Sequence, residues 1–250
     1  FEGSFQPSEF AKLGIILYLS FWLSSHRETM NLLSDGLFPL LLVVGVTAGM
    51  IVLQPDLSAA ATVVVLGILL FFLAGGDLKK LLIFVVFVGG IGAIVVSISR
   101  TGQARISDYL SGLKDLTGSS YHVQRIYEAI IKGGVFGVGI GEADTKFTGL
   151  PLPHTDSIFA VIAEETGLVG AIFVMTLYVL LLWRGLVIAR RAPDQLGALI
   201  SFGLINWIAL EALMNISVIV GLFPFTGNAL PLISAGGSSM LATMGALGIV

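Results

Sequence analysis

The chain has 250 residues, of which 56% are hydrophobic and only 12% charged, with a formal net charge of −3 and a mean hydropathy of +0.97. A soluble domain carries about 25% charged residues, so this inventory cannot clothe a water-exposed surface and implies an integral membrane protein. The small negative charge, with no basic run, excludes a nucleic-acid binder, and the absence of cysteine excludes disulfide frameworks and thiolate metal sites.

A membrane-crossing helix needs roughly 20 mostly apolar residues. The first candidate span runs from about Glu9 to Ser24, with Pro7 and Ser8 as its start signal. The second covers about Leu37 to Leu53, and Gln54-Pro55-Asp56 separates it from a third at about Leu57 to Ala74. Gly75-Gly76-Asp77 marks a turn, and Lys79-Lys80 lead into a fourth at about Leu81 to Ile98. One long polar loop then occupies about residues 99–155, carrying Arg100, Arg105, Lys114, Arg125, Lys132 and Lys146 among acidic residues. The stretch from Asp156 to Arg191 would be about 54 Å as one helix, too long for a ~30 Å hydrocarbon core. Gly167 and Gly170 therefore predict a short amphipathic helix followed by a span from about Leu168 to Ile188. A sixth span covers about Leu196 to Leu222, and the last begins after Pro231. The fold class is an all-α, polytopic membrane bundle with about seven spans in a single integral-membrane domain over 1–250. FEGSFQPSEF reads as the tail of a loop, so an N-terminally truncated piece of a longer protein is expected.

Short-loop basic residues set the orientation. Arg27, Lys79, Lys80, Arg184, Arg190 and Arg191 fall on one side under this count, which is therefore cytoplasmic. The long loop and Asp156 then face outward.

Each polar cluster in so apolar a chain has a structural and a functional reading. Glu9 and Lys12 lie three apart, on one helix face: either a local ion pair with a snorkelling lysine, or a fixed positive charge for an anionic ligand. Asp56 after Pro55 reads first as a helix cap favoured by the dipole. Glu211, with Asn206 and Asn215 nearby, reads first as a polar stripe holding helices together, the alternative being an ion or proton path. KGGVFGVGIG lacks the spacing of a P-loop or a dinucleotide site, so tight turns or close backbone approach are expected there. His26, His122 and His154 lack metal-ligand spacing, and no metal site is predicted. Asp156 follows His154 and Thr155 where a polar loop meets an apolar helix. It serves as a cap, as a chemically active carboxylate, or as both, with Glu164 and Glu165 as supporting polar residues.

Five motifs, FQPSEFAKL at 5–13, QPDL at 54–57, GGVFGVGIG at 133–141, LPLPHTDSIFAVIAEETGLVG at 150–170 and NISVIVGLFPFTGNALPLISAGGSS at 215–239, stand in an order and spacing that resemble the SEDS family, the RodA and FtsW proteins. The resemblance covers essentially the whole chain and leans toward the FtsW side. It implies helices four to ten of a ten-helix fold in the bacterial cytoplasmic membrane, with the active site facing outward. The implied activity is polymerisation of lipid II into peptidoglycan strands beside a class B penicillin-binding protein. Asp156 would be the general base on the acceptor sugar 4-hydroxyl, with undecaprenyl pyrophosphate leaving. Partial burial beside Ile158 and Phe159 would raise its pKa toward a useful value. Lys12, Glu9, His154 and Thr155 would bind substrate and its pyrophosphate; Asp56, Ser238 and Ser239 would support them. No cofactor is required, though a divalent cation, Mg2+ or Mn2+, could assist. The chain departs from the family pattern at Leu152, Ser157, Ala235 and Glu211. A lipid II flippase and a non-catalytic scaffold for a penicillin-binding protein are the competing expectations.

Overall fold

A computed structural model describes residues 6–30, 32, 36–54, 56–114 and 119–250. Phe5 of the first motif, Pro55 of the second, the loop-like start before Gln6 and residues 31, 33–35 and 115–118 lie outside the described residues. Among those described there are nine helices and no strand. They are α1 (Pro7–Ser25), α2 (Phe38–Val52), α3 (Leu57–Leu73), α4 (Leu78–Ile98), α5 (Arg100–Lys114), α6 (Tyr121–Gly133), α7 (Ile158–Arg191), α8 (Gln195–Ile219) and α9 (Gly237–Ile249). Seven of these fall on the seven predicted spans. By length and composition α4, α7 and α8 suffice to cross a membrane; α2, α3 and α9 are apolar but shorter. The expected loop at 99–155 contains two helices, α5 and α6, whose charged faces hid their helical period.

Acidic caps start several helices. Asp56 accepts from the Ala59 N–H at 3.0 Å, Asp77 from that of Lys79 at 2.9 Å, and Asp194 from that of Gly197 at 3.3 Å. Each satisfies an N–H that the helix itself leaves without a partner.

The centre of the bundle is α1, α3 and α8, which pack against one another, with α9 against α1 and α8. Ile16, Leu19, Leu23, Leu66, Leu70, Leu204 and Trp207 are buried there. At Gly203 an added Cβ would lie 2.6 Å from Ile16 Cγ2, so the three helices meet closely because that position is small. In contrast α4 buries only Leu81 and Phe84, and an apolar cleft of about 830 Å3 opens between α2, α3 and α4.

The expected break in the long apolar run is present. Gly167 sits at φ 68°, ψ −166°, inside α7. Its broken turn frees main-chain groups, and the glycine-rich segment after α6 takes them up. Leu168 and Val169 donate to the Gly134 and Val135 carbonyls at 3.0 and 3.2 Å; Val138 and Gly139 donate to those of Glu164 and Glu165 at 3.0 Å each. Glu164 is wholly buried and accepts from the Asp144 and Thr145 N–H groups and the Thr145 hydroxyl, while Glu165 pairs with Lys146 at 2.7 Å. These two glutamates fasten the outer segment to α7 and stand apart from the cavity described next.

Candidate active site

A polar cavity of about 80 Å3 lies where the starts of α1, α3 and α9 meet α8 and the 227–229 loop. Gln6, Glu9, Lys12, Asp56, Thr62, Asp156, Glu211, Asn228 and Ser239 contribute to its wall. Four carboxylates thus surround one ammonium group.

Lys12 is 3% exposed and Glu9 7%. The ammonium donates to Glu9 Oε1 at 2.7 Å and to Glu211 Oε1, and Trp207 Nε1 donates to that same Glu211 oxygen at 2.7 Å. The Trp207 ring centroid is 5.5 Å from Lys12 Nζ. A lysine ammonium has three N–H donors, so two are engaged and one remains. Glu9 Oε2 is buried and has no hydrogen-bond partner among the described residues.

Glu211 corrects the reading of its neighbourhood as a packing stripe. It is the second counter-ion of Lys12, and nothing in its own helix could reveal that α1 would bring a lysine against it. The two asparagines are ordinary anchors: Asn206 donates to the Phe202 carbonyl at 2.9 Å, and Asn215 to the carbonyls of Asp156 at 2.9 Å and Asn228 at 2.5 Å.

Asp156 does not cap α7, which corrects that reading. Ser157 occupies the N-cap position without a capping side-chain bond. The loop before it is held instead by its main chain. Leu152, at φ 48°, accepts from the N–H groups of Thr155 and Ser157; the Ala235 N–H donates to the His154 carbonyl at 2.9 Å; the Ser234 hydroxyl donates to that of Thr155 at 2.7 Å. Ser157 donates to the Pro151 carbonyl and accepts from His122 Nε2 at 2.7 Å, which places the proton on that ring nitrogen. Burial lowers the His122 pKa and keeps the ring neutral. Neither metal-ligand spacing nor any motif in the sequence marks this histidine as a loop anchor.

The Asp156 carboxylate therefore has no helix-capping duty. Among the described residues it forms no ion pair. Half-buried, it is pushed above the usual aspartate range by desolvation, partly offset by a hydrogen bond from Thr155. Gly227, at φ 69°, faces it: an added Cβ would lie 3.2 Å from Asp156 Oδ2. His154 is exposed and neither it nor Thr155 lines the cavity; both stand next to it through the loop they share with Asp156.

The supporting residues divide. Asp56 caps α3 with Oδ1, accepts from the Ser58 hydroxyl at 3.1 Å and receives Gln6 Nε2 at 3.3 Å through Oδ2. Ser239 lines the cavity in the first turn of α9, and Ser238 accepts from the Gln6 N–H at 3.3 Å. A helix start presents unpaired N–H groups and the positive end of its dipole, so this wall suits an anion. Among the described residues no three acidic or imidazole side chains converge as metal ligands.

A family model described as cell cycle protein, for FtsW, RodA and SpoVE, matches residues 3–250. The chain belongs to this family. Stage V sporulation protein E of Bacillus subtilis (strain 168) is 37% identical over 99% of the chain and 68% of its own length. The probable peptidoglycan glycosyltransferase FtsW of Trichlorobacter lovleyi is 36% identical over 98% of the chain and 64% of its length. Among solved structures, a chain of a peptidoglycan synthase complex that coordinates polymerization and crosslinking superposes with a TM-score of 0.79 at 30% identity, covering 98% of this chain and 68% of that one. The rod shape determining protein RodA of Thermus thermophilus gives 0.66 at 29%, covering 98% and 64%. This FtsW/RodA/SpoVE chain thus spans about two thirds of the length of such relatives, and its bundle is the family's membrane fold.

Proposed function

We propose that this chain forms the catalytic portion of a peptidoglycan glycosyltransferase that polymerises lipid II at the outer face of the bacterial cytoplasmic membrane. The observation that carries the reading is a half-buried carboxylate with no counter-ion, Asp156, over the same small cavity as a buried, doubly held ammonium, Lys12. The acceptor sugar 4-hydroxyl attacks the donor anomeric carbon and gives its proton to Asp156. The bond from that carbon to the pyrophosphate oxygen breaks, and undecaprenyl pyrophosphate leaves with the electron pair. Pyrophosphate is already a good leaving group, so one carboxylate suffices.

Lys12 offers its remaining N–H to the pyrophosphate, Glu9 and Glu211 fix its position, and Gln6, Asn228 and the start of α9 add neutral donors. Among the described residues no three acidic or imidazole groups converge to hold Mg2+ or Mn2+ by themselves, and no step is routed through one. The first turns of α3 separate the polar cavity, on the side of Ala59 and Thr62, from the apolar cleft, on the side of Leu57 and Ala60. A wet head and a greasy tail can thus lie on either side of one helix end. The lipid-linked donor has that shape.

The transport alternative needs a polar path through the midplane. Asn206, Glu211 and Asn215 supply none, because each is engaged within the bundle. A pure scaffold has no use for an unpaired half-buried acid. The peptidoglycan synthase neighbour supports a class B penicillin-binding protein as partner. Identities of 36–37% to division and sporulation relatives, against 29% to RodA, support placing the chain on the FtsW side.

The test is strand synthesis from lipid II by the full-length protein with its partner, with moenomycin present to silence soluble-type polymerases. Asp156 must be ionised to act as base, and burial favours its protonated form. Activity is therefore lost as pH falls, through a midpoint above the ordinary aspartate value of about 4. No moenomycin-resistant strand, or an acid limb at or below that value, would count against the reading. Gly227→Ala should slow the same assay by up to about 10-fold, because the Asp156 carboxylate must give by only a few tenths of an ångström where a 1 Å misplacement costs about 100-fold. A non-glycine residue at this φ also costs about 1–3 kcal/mol, visible in thermal unfolding. An unchanged rate would show that the Asp156 position is not set by this contact.

A further inference from the structure

The segment between α6 and the Asp156 loop carries large apolar side chains that nothing in the bundle covers. Phe136 is 83% and Ile140 86% exposed, and Ile131, Val135 and Phe147 are exposed beside them. Surface apolar patches of this kind mark an interaction surface. The main-chain ladder fixes where this one lies. Gly134 and Val135 are bonded to Leu168 and Val169, the first apolar residues of the span in α7 after its break. From Leu168 to Ala189 is about 33 Å of helix, enough for a ~30 Å hydrocarbon core, with Arg190 and Arg191 just beyond. Residues 135–140 thus stand at the depth where α7 enters the hydrocarbon. Leu168, Val169, Ile172 and Phe173 are exposed on α7 itself, so the two apolar surfaces are continuous.

Irregular backbone tolerates lipid only when its polar groups are satisfied by protein. That condition is met by the three residues at the middle of the segment. The N–H groups of Gly137, Val138 and Gly139 donate to the carbonyls of Gly133, Glu164 and Glu165. The charges nearby are drawn into pairs as well: Lys146 with Glu165 at 2.7 Å, and Lys132 with Glu128 at 3.0 Å. What remains facing away over residues 135–140 is hydrocarbon and bare backbone, with the exposed charge of Glu142 just beyond its edge.

We infer that residues 135–140 form a wedge that dips into the acyl boundary of the bilayer, clamping the long loop to the membrane surface beside the α7 break. The bilayer is its occupant, and the geometry requires neither the outward orientation nor the chemistry of Asp156.

The sequence has no cysteine, so single labels are clean. Full-length protein in a cysteine-free background, reconstituted in phosphatidylcholine–phosphatidylglycerol vesicles without its partner, would carry a nitroxide at Phe136→Cys, Ile140→Cys or Glu142→Cys. Collisions with oxygen should exceed those with a water-soluble nickel chelate at 136 and 140, by several-fold, with the order reversed at 142. Greater nickel access at 136 and 140 would overturn the inference and leave the patch as a protein-docking face. Poor access of both reagents would overturn it too, by showing protein cover. Should the nitroxide perturb folding, the same cysteines report through an impermeant maleimide. Reaction at 136 and 140 at least tenfold slower than at 142 is expected, and equal rates would sink the wedge.

Discussion

Asn in place of Asp156 should stop strand synthesis and leave the protein folded and bound to its partner. The two side chains are nearly the same shape, and the loop is held by main-chain groups that the change does not touch. The Asp156 carbonyl still receives Asn215, the His154 carbonyl still receives Ala235, and the Thr155 carbonyl still receives Ser234. What disappears is the carboxylate proposed to take the proton. Loss of a positioned general base lowers rates by about 100- to 10,000-fold, and the assay with lipid II should read a drop in that range. Thermal unfolding should be unchanged or slightly improved, since desolvation works against the charged form of Asp156. Glu should rescue poorly, because one more methylene carries the carboxylate away from the place Asp156 gives it, and a misplacement of about 1 Å is costly in rate. A folded, partner-bound Asn variant that polymerises at the original rate would remove Asp156 from the chemistry.

The second large effect is expected at Lys12, and it separates stability from function. Lys12→Met leaves Glu9 and Glu211 buried without their shared cation. Removing one partner of a buried ionic group costs about 3–5 kcal/mol, which should appear as a pronounced fall in unfolding temperature and a loss of activity. A variant that also carries Glu9→Gln and Glu211→Gln removes the stranded charges, so most of the lost stability should return. The activity should not return, because the N–H proposed to meet the pyrophosphate is still missing. A single Lys12→Met variant as stable as the parent would refute the buried triad. A triple variant that polymerised normally would refute the binding role of Lys12.

The sequence alone was enough for features that depend on length and local chemistry. A run of apolar residues too long for the bilayer had to break, and the glycine at 167 was the place where it could. The acid at 56 stands at a helix start, and there it caps. The helices in the long loop escaped because their polar faces dilute the apolar period, most severely in α5. Glu211 was misjudged for a different reason. Its role exists only once α1 lies against α8, and no spacing within one helix carries that information. Asp156 shows a subtler limit. A carboxylate just before a helix is ordinarily a cap, but the turn through Leu152 shifts that position to Ser157. The shift leaves the acid unencumbered.

α8 holds both halves of the site. Glu211 steadies the ammonium of Lys12, and one turn further along Asn215 grips the peptide carbonyl of Asp156 together with that of Asn228. Asp156 and the Lys12 cation are consequently geared to a single shaft. A twist of α8 imposed from outside the bundle would put both out of alignment in the same motion, so throughput can be throttled without touching either group.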